Sequence, residues 1–164
     1  MSALAGRSAC ALSFATAKIA LMQPEDLVHV IEIERKSNSH PWTERNFNDA
    51  MTSGYLSLVA REHGQVCAFA IARTLIDEAE LLLIAVTPDE RRQGVAALLW
   101  IEMVQRLRIA GATKIFLEVR SSNAPARSFY ASRGLTQIGV RKNYYPNGVH
   151  DSDREDAILM QVPL

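Results

Sequence analysis

The chain has little cysteine, and what it has is scattered. Cys10 lies in an Ala- and Ser-rich N-terminal stretch and Cys67 in a strand-like run. Two isolated cysteines build neither a disulfide framework nor a metal cluster. Cys67 is expected to be a small buried residue, the usual fate of a free thiol. The four histidines, His29, His40, His63 and His150, show no ligand spacing, so no metal is expected. No run of about 18 apolar residues is present, which excludes an ordinary membrane-spanning helix. An excess of one charge is also lacking, with 18 Lys and Arg against 18 Asp and Glu. Binding along a phosphate backbone draws on a basic excess, so neither a broad nucleic-acid footprint nor an anionic membrane is an expected partner. Neither familiar phosphate loop is complete: there is no G-x-G-x-x-G and no Gly-Lys-Ser/Thr.

What is present is apolar side chain, 48% of 164 residues, enough for one globular domain with a real core. Residues 1–17 carry Arg7 and no acid. A transit peptide has similar composition, but Ser13 and Thr16 interrupt the apolar stretch. Residues 1–17 are read as a flexible extension and 18–164 as the domain.

Along the chain, periodicity gives the order β-α-α-β-β-β-α-β-α-β-β. Residues 18–22 suit a short strand. Pro24, Glu25 and Asp26 open a helix with Leu27, Val30, Ile31 and Glu34 on one face. Thr43 is the candidate cap of a second helix that Gly54 ends. Two β-prone runs joined by His63-Gly64-Gln65 read as a hairpin. The short apolar run 80–86 suits a central strand. From Gly94 a helical stripe follows, Ala96, Leu99, Trp100, Met103, Leu107 and Ala110, with Glu102 and Arg106 spaced to pair. Residues 113–119 form another strand. A short helix capped by Ser122 or Asn123 and two last strands complete an α/β domain of mixed, mostly antiparallel sheet, six or seven strands wide.

The stretch "DERRQGVAALL" is the first candidate site. It turns an apolar strand into a helix, whose N-terminus exposes unpaired N–H groups and partial positive charge. Arg91, Arg92, Gln93, Gly94, Val95 and Ala96 thus suit a close-approaching anion; the alternative is a helix start with solvated arginines. Glu118 is the second candidate. It is the only carboxylate in the apolar run 115–119, and strand alternation puts it on the face of Phe116, opposite Leu117 and Val119. Uncompensated burial of a carboxylate is costly, so Glu118 is either paired or functional.

Arg91-x-x-Gly94-x-Ala96 after an apolar strand and Thr-Pro resembles the pyrophosphate loop of the GCN5-related N-acetyltransferase (GNAT) superfamily. With "HPW", "LIDEAELLLIAVTPDERRQGVAALL", "FLEVRSSNAPARSFYASRGL" and "RKNYYPNGVHDSDREDAILM", the chain from about Leu21 onward resembles the RimI family of bacterial ribosomal-protein-alanine N-acetyltransferases. Ala96 stands where glycine is commoner, and Leu135 where an aromatic is usual.

The resemblance implies a GNAT fold and direct acetyl transfer from acetyl-CoA, with no metal, to the α-amino group of the eighteenth protein of the small ribosomal subunit. It implies Glu118 as general base and Tyr130 as general acid, and places Asn123, Ile84, Ala85 and Val86 along the pantetheine arm. A Val86 N–H is then in reach of the thioester carbonyl. Trp42, Tyr144 and Tyr145 are the expected acceptor-binding residues, walling a slot for a small first residue. Glu78 is a weaker candidate for attracting the acceptor's ammonium group. A cytoplasmic, monomeric enzyme is expected. Acetylation of lysine side chains or a small amine, or a non-catalytic acyl-CoA-binding module, stay open. Retention of both Glu118 and Tyr130 disfavours the module, since binding alone needs neither.

Overall fold

The computed structural model describes residues 16–148 and 153–164; most of the N-terminal stretch, with Cys10, and the tip of the last loop, with His150, lie outside them. The elements are β1 (Lys18–Leu21), α1 (Leu27–Ser37), α2 (Glu44–Thr52), β2 (Leu56–Glu62), β3 (Gln65–Leu75), β4 (Glu78–Val86), α3 (Val95–Ile109), β5 (Lys114–Arg120), α4 (Ala124–Ser132), β6 (Thr136–Pro146) and β7 (Arg154–Pro163). This is the order expected from periodicity. Seven strands form one sheet, β1-β2-β3-β4-β5-β7-β6. β4 and β5 run parallel and the other neighbours antiparallel, so the expected mixed, mostly antiparallel sheet is the one found.

Local chemistry explains the element ends. The Thr43 hydroxyl accepts from the Asn46 N–H at 3.3 Å, and the Asn46 side chain accepts from the Thr43 N–H at 2.9 Å, a reciprocal cap. His63 and Gly64, at φ 49° and 83°, close the β2–β3 hairpin with Glu62 opposite Gln65; two left-handed residues match the twist of the strands they join. α1 starts one turn later than its Pro24 suggests. Pro24–Asp26 forms a 3₁₀ turn, and Asp26 is buried against Arg61 at 2.7 Å. Two stripes shift slightly from expectation. On α1 the buried residues are Leu27, Val30, Ile33 and Glu34, with Ile31 only half-buried. On α3 they are Val95, Leu99, Trp100, Met103 and Leu107, while Ala110 sits at the exposed C-cap.

Each sheet face carries a core. Leu58, Ala70, Leu99, Met103, Ile115 and Leu117 pack on the side of α3 and α4. Val30, Ile33, Phe47, Val59, Phe69 and Ile71 pack on the side of α1 and α2. Cys67 is buried, as a free thiol should be.

The sheet is interrupted at its centre. β4 pairs with β5 from Glu78–Lys114 to Leu81–Leu117, and the pairing stops there. On its other side β4 shifts register: Ile71 faces Leu83 and Ala72 faces Leu81, leaving Leu82 as an extra residue. A bulge of this kind bends its strand and increases local twist, so the C-terminal half of β4 turns away from β5 and a gap opens.

Phe69 is fully buried in β3 and meets Phe47 edge-on, ring centroids 5.7 Å apart. Phe69→Ala is expected to destabilise the fold by about 3–5 kcal/mol, read as a lower urea midpoint with the slope unchanged; a loss below about 1 kcal/mol would contradict this account of the core.

Candidate active site

A cleft of about 570 Å³ fills the gap between β4 and β5. It brings together seven of the residues singled out in the sequence: Trp42, Ile84, Ala85, Glu118, Asn123, Tyr130 and Tyr145. Val86, the Arg91–Ala96 loop and Tyr144 lie outside its lining. Tyr144 lines a second cleft of about 400 Å³, which shares Trp42 and Leu82 with the first. It touches Tyr145 edge-on at 5.0 Å.

Glu118 is the first β5 residue past the last β4 pair. Alternation along the strand buries Ile115, Leu117 and Val119 and leaves Phe116 and Glu118 on the other face. The Glu118 carboxylate is 15% exposed and meets Arg141 Nε at 3.1 Å. It is therefore paired on one side while it lines the cleft on the other. Tyr130, on α4, is buried beside Phe129 and Trp100. Burial, aided by neighbouring Tyr145, pushes its phenol pKa well above the ordinary tyrosine value, so the hydroxyl keeps its proton at neutral pH. Asn123 caps α4, its side-chain oxygen accepting from the Ala126 N–H at 3.2 Å, and also lines the cleft. Tyr145 is pushed up to about 12, first by burial and next by the negative charge of Glu118. Arg120 opposes that shift, its guanidinium 4.5 Å from the ring centroid.

The Arg91–Ala96 loop leads into α3 from the end of β4. Arg92 and Gly94 are both left-handed, at φ 65° and 89°. Gly94 N-caps α3, and no side chain caps the helix. A Cβ at Gly94 would meet nothing within 4 Å, so backbone conformation and not crowding calls for glycine there. Arg91 turns back from the loop. Its Nε donates to the Val86 carbonyl at 3.0 Å and its Nη2 to Ser37 Oγ at 3.1 Å.

Three cleft-side groups were not among the sequence candidates. Arg120 donates to Glu155 and to the Pro146 carbonyl, each at 2.8 Å, and to His40 Nδ1 at 3.4 Å. It thereby ties β5, the end of β6, the start of β7 and the α1–α2 loop together. Its signal was its parity with Glu118. Burial pushes Glu155 up, but hydrogen bonds from Ser122 and Arg120 outweigh it and hold the carboxyl below its ordinary range. Nothing in the polar run around Glu155 marks it out in the sequence. Glu34, 1% exposed, accepts from the Trp42 N–H and from Asn38 Nδ2, both at 3.2 Å. Burial pushes its pKa up, partly offset by those bonds. Its signal was a carboxylate on an apolar helix face. Glu78 is a correction. It pairs with Lys114 at 2.6 Å at the start of β4, whereas the cleft lies at the other end of that strand and Glu78 is not in its lining.

The sequence model described as Acetyltransferase (GNAT) family matches residues 26–135. The [ribosomal protein bS18]-alanine N-acetyltransferase of Escherichia coli K12 is 37% identical over 146 residues, 89% of this chain and 97% of that one. Its counterpart in Haemophilus ducreyi is 38% identical over 140 residues, 85% and 95% of the two chains. The crystal structure of the ribosomal-protein-S18-alanine N-acetyltransferase from E. coli superposes with a TM-score of 0.82 at 36% identity, covering 90% of this chain and 94% of that one.

The Tyr145 shift has a measurable sign. A tyrosine titrates near about 10 when unfolded and Tyr145 near about 12 when folded. Between those values the native state holds a proton that the unfolded chain has released, so stability falls as pH rises through that window. Tyr145→Phe is expected to remove one phenolate absorbance step near pH 12 and to flatten that alkaline loss of stability. A titration curve unchanged by the substitution would overturn the assignment.

Proposed function

Because the chain belongs to the GNAT family of acetyltransferases, we propose that it transfers an acetyl group from acetyl-CoA to the α-amino group of an alanine-first protein chain, that of ribosomal protein bS18. The observation that carries this reading is the meeting of Glu118 and Tyr130 in one cleft at the parting of β4 and β5. The identity to curated bS18-alanine acetyltransferases over most of both chains supports the acceptor.

Acetyl-CoA supplies an acetyl group activated as a thioester. The protein's share is binding, orientation and proton movement. The uncapped α3 N-terminus, with left-handed Arg92 and Gly94 before it, suits a pyrophosphate held by backbone N–H groups from Arg92 to Ala96. Gln93 and Val95 contribute main chain, and Arg92 adds charge. Ile84, Ala85 and Val86 lie past the last β5 partner, so that edge offers main-chain groups to the pantetheine amides, apart from the Val86 carbonyl that Arg91 holds, with Asn123 across from them. The Val86 N–H then faces the thioester carbonyl. No metal takes part.

The acceptor must attack as a neutral amine. An α-amino group titrates near about 7.7–8.0, so a modest base suffices, and Glu118 takes that proton, directly or through water. Tyr130 holds its own proton at neutral pH and gives it to the departing sulfur. Trp42 and Tyr145 face the cleft and, with Tyr144 behind Tyr145, wall a slot for a small first residue. The enzyme is read as a cytoplasmic monomer, and its balanced net charge suits one that modifies a free chain and does not dock on ribosomal RNA.

Glu118→Gln and Tyr130→Phe are each expected to lower kcat by about 10²–10⁴-fold while the KM for acetyl-CoA stays near wild type; wild-type turnover in both would refute the site. An Ala-first peptide should be acetylated far faster than the same peptide with its first amine blocked and a lysine free, scored by mass spectrometry. Equal rates would point to lysine chemistry.

A further inference from the structure

Glu34 carries more burial than its hydrogen bonds account for. It stands in the last turn of α1, where the helix dipole disfavours negative charge, and is 1% exposed. Both of its hydrogen bonds, from the Trp42 N–H and Asn38 Nδ2, end on Oε1. No hydrogen bond or ion pair among the described residues reaches Oε2, and it is not among the fully enclosed unpartnered atoms, so it opens on the cleft that Glu34 lines. The comparable carboxylates have cations: Glu118 has Arg141, Glu155 has Arg120 and Asp26 has Arg61. Arg120, which also lines the cleft, is committed to Glu155, Pro146 and the face of Tyr145. A glutamine would satisfy Trp42 and Asn38 equally well. A buried carboxylate without a counter-ion is expensive, so holding the α1–α2 loop, which a glutamine would do, does not explain the choice of a carboxylate here.

We infer that Glu34 is an acceptor-binding residue whose free Oε2 takes the incoming α-ammonium group as its counter-ion, in the cleft it shares with Glu118. This rests on the function proposed above. The ammonium has three N–H donors and a full charge, and it supplies what Oε2 lacks. Once the amine has lost its proton and become an amide, its nitrogen is neutral with a single N–H. The hold is then lost, so the same contact that admits the substrate lets the product go.

Glu34→Gln separates the two roles, because the amide oxygen replaces Oε1 for Trp42 and Asn38 while a neutral NH₂ donor replaces Oε2. Binding of an Ala-first peptide and of its N-acetylated form is measured by calorimetry on wild type and variant, alongside steady-state rates. The expected result is an affinity for the free-amine peptide lowered by about ten- to hundred-fold, the range of a charged hydrogen bond. Affinity for the acetylated peptide and the KM for acetyl-CoA should move less than about two-fold. Unchanged amine affinity overturns the proposal, and so does an equal loss for both peptides, which marks a purely structural latch. Should Glu34→Gln fold poorly, wild type carries the test alone: the same peptide without its α-amino group must bind about ten-fold or more weakly than the amine, and equal binding overturns the role. Failure of wild type to acetylate the Ala-first peptide would instead refute the functional reading itself.

Discussion

The parting of β4 from β5 is the constraint on which the rest of this protein depends. A parallel pair that continued past Leu81 and Leu117 would seal the sheet, and Glu118 would be one more half-buried strand residue. The extra residue at Leu82 prevents that. It bends β4 where pairing stops, frees one edge of residues 82–86 and makes Glu118 the first β5 side chain beside the opening. The crossover adds to the effect. Because β4 and β5 are parallel, the connecting chain must leave from the C-terminal end of β4, so the loop into α3 begins beside the same gap. Crevices at the carboxyl ends of strands are where open α/β sheets take ligands, and here one bulge sets the crevice next to the loop that leads into α3.

Around that opening, environment divides the ionisable groups into roles. Tyr130 is enclosed by Trp100 and Phe129, which keeps its phenol protonated. Glu118 sits at the rim with Arg141. The Arg120–Glu155 pair works differently. Both side chains are largely buried, and their bonds reach Ser122, Pro146 and His40. That pair braces the cleft, while Glu118 and Glu34 line it.

Much of this was legible in the residues themselves. Thr43, the His63-Gly64 turn and the α3 stripe act through local geometry, and local geometry follows from sequence spacing. The placing of Glu118 was legible by strand parity, and that of the Arg91–Ala96 loop by its position between an apolar strand and a helix. What escaped depends on contacts between segments distant in the chain. The Leu82 bulge has no glycine or proline to announce it and exists only as a mismatch with Ile71 and Ala72 on β3. Glu78 looked available until register put Lys114 beside it. Tyr144 and Tyr145 are neighbours in the chain, yet alternation sends them to two clefts that meet at Trp42 and Leu82.

The loop "RRQG" shows why a motif's residue types are not its contacts. Two arginines before a helix N-terminus read as anion charge, but Arg91 hydrogen-bonds to the Val86 carbonyl and to Ser37 at the end of α1. Anion binding does not need its guanidinium when a helix N-terminus offers N–H groups and partial positive charge in a fixed array. The left-handed Arg92 and Gly94 lead into that N-terminus, and Arg91 joins the loop to the segment from Ser37 to Trp42. That segment forms the far wall of the cleft, anchored at its other points by Glu34 and by Arg120 through His40. One side chain of the Arg91–Ala96 loop thus bears on a wall of the cleft, so the loop, although outside the cleft lining, is mechanically connected to it.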